Sequence, residues 1–153
     1  MMIEEIDGVK YSAVEGITYF LKPWEYGTLN INAEYGQMLV GPDKLIMVAT
    51  HRKKIAGGVD TAEGLSGLAG GLMLLAAEVL IKGKKTQEYR LEIPRASIQK
   101  MQIPLLGFGN LNVIRKEGMD ELNVMKGDFK AFLNLLIAHR YPVFGRLGKP
   151  LSS

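Results

Sequence analysis

At 153 residues, with 47% hydrophobic and 23% charged side chains, the chain has the length for one domain with a sizeable core, and its composition excludes a disordered or low-complexity polymer. Its formal net charge of +3, from 19 basic and 16 acidic residues, lacks the concentrated basic face of a nucleic-acid binder. There are no cysteines, which excludes disulfides, thiolate metal sites and cysteine nucleophiles.

The first ten residues, MMIEEIDGVK, have neither the basic start and apolar core of a secretory leader nor the glycine needed for myristoylation, so residence in the cytoplasm is expected. Glu4 and Glu5 read as a solvated terminus. YSAVEG tolerates a helical turn, whereas ITYFL, residues 17–21, is β-prone and closed by Lys22-Pro23. The lone tryptophan, Trp24, reads as a rim-of-core residue, with an exposed interfacial anchor as the alternative. From Thr28 the sequence TLNINAEYGQMLVGPDKLIMVATHR is β-rich, with breaks at Tyr35-Gly36 and Gly41-Pro42-Asp43. Pro42 and Asp43 are turn formers, so Gln37–Val40 and Lys44–Thr50 are expected to pair as a hairpin. Its second arm is continuously apolar from Leu45 to Val48, as in a strand buried on both faces or simply a core strand.

Residues 55–83, IAGGVDTAEGLSGLAGGLMLLAAEVLIKG, lie between the basic runs HRKK and KGKK. Asp60 and Glu63 have the spacing of an N-terminal cap and Gly83 suits the position past a last turn, so a helix over about 61–82 is expected, about 30 Å long. Only fourteen uncharged residues, 64–77, separate Glu63 from Glu78. A transmembrane helix requires roughly 17–25. Leu65, Leu68, Leu72, Leu75 and Val79 recur at intervals of three and four and make a continuous apolar seam, with Gly64, Gly67 and Gly71 in a parallel stripe. Each glycine disfavours a helix by about 0.8–1.0 kcal/mol relative to alanine. Close packing at Gly67 and Gly71 is the expected compensation. Three surfaces can receive the seam: the chain's own sheet, the same helix in a second copy, or an anionic membrane that attracts Arg52, Lys53, Lys54, Lys82, Lys84 and Lys85.

Beyond this segment EYRLEIP alternates as a half-buried strand, with Tyr89, Leu91 and Ile93 on one side. SIQKMQIP follows with one break in spacing, which indicates a bulge. LNVIRKEGMDELNVM predicts a hairpin of Leu111–Arg115 and Glu121–Met125 around a turn containing Gly118 and Asp120. In DFKAFLNLLIAHRYP, Phe129, Phe132, Leu133, Leu136 and Ile137 fall on one helical face, Asp128 is the N-cap and Pro142 the stop. Residues 142–153, PVFGRLGKPLSS, are expected as a flexible tail.

No catalytic or metal constellation follows from these residues, and no cofactor is implied. His51 and His139 are far apart in sequence and each neighbours an arginine, an arrangement suited to structural rather than acid/base histidines. Ser66 in GLSGLAGG lacks nucleophile-elbow spacing, GKKT at 83–86 lacks the upstream glycine of a phosphate loop, and Gly107-Phe-Gly109 lacks the third glycine of a dinucleotide motif. The adjacent acids Asp120 and Glu121 would point to opposite faces of a strand and read as a hairpin rim. Tyr35 and Tyr89 are the strand-borne aromatics, too few for nucleic-acid stacking.

GQMLVGPDKLIMVA, LEIPRASIQKMQI, LNVIRKEGMDELNV and the closing helix together resemble the bacterial pleckstrin-homology-like, or GRAM-like, domain pattern over residues 28–140. The resemblance implies a mainly β (α+β) fold: a bent-sheet barrel of about seven strands, plugged by a C-terminal helix, with residues 1–141 as one domain and the helix at about 57–83 as an insertion. It further implies a non-enzymatic binding or scaffolding module. With the seam and its flanking lysines, the expected partners are a second copy of the chain, an anionic membrane surface or another protein, at the inner membrane face if peripheral. The alternative is a small-molecule-binding protein or enzyme with a pocket at the barrel mouth, lined by Trp24, Tyr89 and Phe108.

Overall fold

The computed structural model describes residues 2–21, 29–57, 88–105, 109–116, 118–124 and 128–151. These residues are mainly β and form an open, bent sheet with one α-helix. The strands are β1 (Met2–Ile6), β2 (Val9–Leu21), β3 (Leu29–Val40), β4 (Lys44–Gly57), β5 (Tyr89–Pro94), β6 (Ile98–Gln102), β7 (Asn110–Arg115), β8 (Gly118–Val124) and β9 (Val143–Phe144), with helix α1 (Phe129–Ala138) between β8 and β9. They are hydrogen-bonded in the order β5-β4-β3-β2-β8-β7-β6-β9, and β1 adds to β2. The helix expected over 61–82 lies outside the described residues.

β1 and β2 meet through Asp7-Gly8, whose φ angles of 52° and 80° suit the tight two-residue hairpin turn that an Asp-Gly pair favours. Glu4 and Glu5 therefore belong to a paired strand and not to a loose terminus, and YSAVEG is strand throughout. β2 then changes face. Val9, Tyr11 and Ala13 point to one side of the sheet, but after a bulge between Val14 and Ile17, with Gly16 at φ 71°, Ile17 and Tyr19 point to the other. A bulge adds one residue to one strand and so reverses the alternation beyond it.

Two cores result. The larger holds Ile17, Tyr19, Met38, Val40, Leu45, Met47, Leu111, Val113 and Leu122, covered by Phe132, Leu133 and Leu136 of α1. The smaller, on the opposite face, holds Tyr11, Ala13, Leu39, Ile46 and Val48, with Ile6 and Val9 packed against it. The continuously apolar run of β4 serves both: Leu45 and Met47 face one core, Ile46 and Val48 the other. In a flat sheet β1 and β5 would stand about 19 Å apart, four spacings of about 4.8 Å. Arg90 Nη2 of β5 nonetheless reaches Glu4 Oε1 of β1 at 3.4 Å, so this half curls over the smaller core.

The β3–β4 turn anchors the two faces to one another. Gly41 N–H donates to Lys44 O at 3.1 Å; Tyr141 Oη donates to Gly41 O at 2.8 Å, Tyr11 Oη to Asp43 Oδ1 at 3.1 Å, and Arg95 N–H to Asp43 O at 2.9 Å. The Tyr11 ring lies where a Cβ on Gly41 would stand.

Helix α1 matches expectation. Asp128 accepts from Ala131 N–H at 3.1 Å, and Phe132, Leu133 and Leu136 are buried. Its end is a Schellman motif in which Tyr141 N–H bonds Leu136 O at 3.0 Å and Arg140 N–H bonds Ile137 O at 2.9 Å. Arg140 takes the left-handed position at φ 63°. Two expectations are corrected. The β7–β8 turn falls between Arg115 and Gly118, so Gly118 and Asp120 lie within β8. Where a loose tail was expected, β9 pairs in parallel with β6, Val143 is fully buried, and Leu151 N–H bonds Val143 O at 2.8 Å.

Gly36 is where β3 and β4 press closest: a Cβ there would stand 2.0 Å from Val48 O, a backbone atom. Gly36→Ala is expected to lower unfolding free energy by about 1–3 kcal/mol or more, measured by urea denaturation. A change within about 0.5 kcal/mol would show that the hairpin can part there at little cost.

Candidate functional site

The basic run HRKK is carried by an overhang. β4 pairs with β3 from Leu45 opposite Val40 to Gly57 opposite Leu29, but with β5 only from Lys44 to Ala49. From Thr50 to Gly57 its other edge has no strand partner among the described residues. Register places Arg52, Lys53 and Lys54 opposite Glu34, Ala33 and Asn32. Cations on an open edge have a structural use, since they oppose edge-to-edge aggregation. They also concentrate positive charge on a paired, stiff hairpin immediately before the glycine-rich segment. Lys82, Lys84, Lys85 and the seam Leu65, Gly67, Leu68, Gly71, Leu72, Leu75 and Val79 lie outside the described residues.

A second feature arises from two bulges on either side of β3. The β3–β4 register slips at Tyr35/Gly36, leaving Thr50 as the extra residue, level with the β2 bulge at Glu15-Gly16. Between them is a cleft of about 250 Å³, walled by Tyr35, Gln37, Val48 and Thr50 and rimmed by Glu15 and Glu88. Thr50 Oγ1 lies 2.9 Å from His51 Nδ1, and the His51 ring meets Tyr35 edge-on at 5.8 Å. The cleft falls below the roughly 300–1,000 Å³ of most ligand pockets. It could admit one side chain or a small molecule. Of the residues expected to line a pocket, Tyr89 stands beside Glu88 and is 39% exposed, while Trp24 and Phe108 lie outside the described residues.

The third feature was misplaced by the sequence reading. Asp120 is not on a hairpin rim but fully buried. Its Oδ2 accepts from Tyr19 Oη at 2.5 Å and Arg115 Nε at 2.6 Å, and its Oδ1 from Arg115 Nη2 at 3.1 Å. A forked guanidinium and a phenol thus share one buried carboxylate. Burial, then the charge and hydrogen bond of Asp120, push the Tyr19 hydroxyl well above its usual range, against the opposing pull of Arg115. Tyr19 is consequently held neutral as a donor. It ties β2 to β8 and is not equipped to act as a base or nucleophile at ordinary pH.

No family model, curated protein or solved structure matches the chain.

The two histidines do not converge. His51 is on the overhang beside Thr50, and His139 caps α1, its carbonyl accepting from Arg95 Nη1 at 3.3 Å. Among the described residues no three His, Asp or Glu side chains are grouped as metal ligands, and no helix is long and apolar enough to cross a membrane.

Replacing Asp120 by asparagine removes the charge that pairs with Arg115 and turns one of the two acceptor oxygens into an NH2 donor facing Arg115 or Tyr19. Asp120→Asn should therefore cost about 3–5 kcal/mol in urea unfolding, whereas Glu5→Gln on exposed β1 should stay within about 0.5 kcal/mol. The tyrosines give the pH dependence. Tyr19 and Tyr141 are both raised by burial, so the folded state keeps their protons when the unfolded state, with a pKa of about 10, loses them. Their contribution is complete below pH ~10 and declines above it. Urea midpoints should fall from pH ~10 upwards, and tyrosinate absorbance from these two side chains should appear only together with loss of β circular dichroism.

Proposed function

We propose that the chain is a non-enzymatic binding or scaffolding module with a pleckstrin-homology-like sheet, in which the glycine-rich segment after β4 mediates self-association or attachment to an anionic membrane surface. The observation that carries this reading is the β4 overhang. Arg52, Lys53 and Lys54 sit on the part of the hairpin that runs beyond β5, and ten residues, IAGGVDTAEG, separate them in sequence from the Leu65–Val79 seam. Cations held at the root of an apolar, glycine-striped segment fit a surface that presents both anionic groups and an apolar layer. They fit equally a symmetric contact in which two seams cover one another. Seven consecutive strands, β2 to β8, followed by one helix whose apolar face closes the larger core, support the pleckstrin-homology-like outline.

The cleft between the bulges favours a second reading, a small-molecule-binding protein. Native mass spectrometry of the purified chain with a retained ligand, released by Thr50→Trp, would establish that reading instead.

The leading reading is tested by replacing residues 58–82 with a short Gly-Ser linker. The expected result is a lower solution mass by light scattering, or loss of co-sedimentation with phosphatidylserine vesicles, with β circular dichroism retained. If mass and co-sedimentation both equal those of the full chain, the reading fails.

A further inference from the structure

Leu147 and Leu105, 85% and 72% exposed, emerge at the same end of the sheet. β9 runs parallel to β6, with Val143 opposite Met101 and Phe144 opposite Gln102, so the two strands leave the sheet in one direction. Each leucine follows three residues beyond its strand's last paired position. The exits are bound side by side. Arg146 Nη1 donates to the carbonyls of Pro104 at 2.8 Å and Leu105 at 3.2 Å, Ile103 N–H donates to Phe144 O at 3.0 Å, and Gln102 Nε2 donates to Gly145 O. Leu147 stands on a tight turn closed by Gly148 N–H to Gly145 O at 2.9 Å and Gly145 N–H to Lys149 O at 2.8 Å.

The chain segments that carry these tips are basic in sequence, although register places Arg115 opposite Ile98 at the far end of β6 and Glu121 level with Gln102 through Asn112. The stretches 93–116 and 129–153, which supply β6, β7, α1 and β9, contain eight of the 19 basic residues and none of the 16 acidic ones. The remainder of the chain carries eleven basic and sixteen acidic residues, so a modest net charge of +3 hides two portions of opposite sign. Arg146 and Lys149 flank Leu147 in sequence, and Lys100 lies behind them, its Nζ 4.7 Å from the centre of the Phe144 ring. The carboxylate preceding α1, Asp128, is engaged by Ala131 N–H.

We propose that this leucine-tipped, cation-flanked end of the sheet is a shallow anchor for an anionic bilayer. Single exposed leucines are common on soluble proteins. Two held together at one end, with cations beside them, match the boundary between headgroups and acyl chains: the leucines enter it while the cations meet lipid phosphates. A single-stranded nucleic acid is the poorer fit, because the described tip residues Leu105 and Leu147 are aliphatic and offer its bases no stacking surface. The site shares no residue with the β4 overhang or the glycine-rich segment, so it can be tested by its own substitutions.

The test is co-sedimentation of the full chain with vesicles of phosphatidylcholine alone and of phosphatidylcholine with phosphatidylserine. Binding is expected only to the serine-containing vesicles and should weaken as salt is raised. Leu105→Ser with Leu147→Ser should reduce partitioning about tenfold or more with an unchanged melting temperature, because both side chains already lie in water. Lys149→Glu should reduce it about fivefold or more. The proposal is overturned if serine-containing vesicles do not bind, if the double serine variant binds as the parent does, or if a single-stranded oligonucleotide binds and vesicles do not. It is also overturned if replacing Arg52, Lys53 and Lys54 by alanine abolishes binding while the leucine variant retains it, an outcome that would support the overhang in its place.

Discussion

The bulge at Glu15-Gly16 lets one strand serve two cores, and most of the architecture depends on it. Without the extra residue, the side of β2 that carries Tyr11 and Ala13 would also carry Ile17 and Tyr19, and these four residues could not be divided between the two cores. With it, the first half of β2 closes the smaller core beneath β1 while the second half pairs with β8 and enters the larger core. The sheet can then bend between its halves while both stay joined by hydrogen bonds. The slip on β4 that leaves Thr50 extra sits level with this bulge, and the cleft lined by Glu15, Gly16, Tyr35 and Thr50 opens between these two register shifts.

Polar side chains then hold this bent arrangement. Tyr11 and Tyr141 reach the Gly41–Asp43 turn, and Tyr19 with Arg115 closes on Asp120 across β2, β7 and β8. The three tyrosine contacts link residues distant in sequence, and each of these hydroxyls finds an acceptor, as burial requires. These groups fix geometry, and the proposed contacts rest instead on peripheral features, the β4 overhang and the leucine tips beyond β6 and β9. Exposed ion pairs such as Lys44–Glu92 and Arg90–Glu4 contribute little stability by comparison with the cores.

Several elements were legible because a local signal and the tertiary demand agreed. α1 followed from its apolar spacing, Asp128 and Pro142, and the hairpin around Gly41-Pro42-Asp43 from its turn residues. The two-sided burial of β4 followed from an unbroken apolar run. The β1–β2 hairpin had a signal too, the Asp-Gly pair at residues 7 and 8, but MIEEI before it carries no apolar alternation to mark a strand. Asp120 was misread because a carboxylate beside a glycine resembles a turn. Nothing local shows that Tyr19, 101 residues away, and Arg115 will enclose it. β9 was missed for a similar reason: two residues among glycines and prolines form a strand only because the exposed backbone of β6 is already present to pair with them.

By itself the sequence determined the mainly β class, the closing helix, the capacity of β4 to face two cores, and the cationic run that ends in a glycine-rich apolar segment. All of these are set by side-chain periodicity and turn chemistry within about fifteen residues. Only the tertiary structure decided that β2 would change face, that Asp120 would become the acceptor at the centre of a buried triad, and that Leu105 and Leu147 would share one cationic end. Each of those outcomes depends on strand register, and register is fixed by pairing between segments whose relation the linear chain does not display.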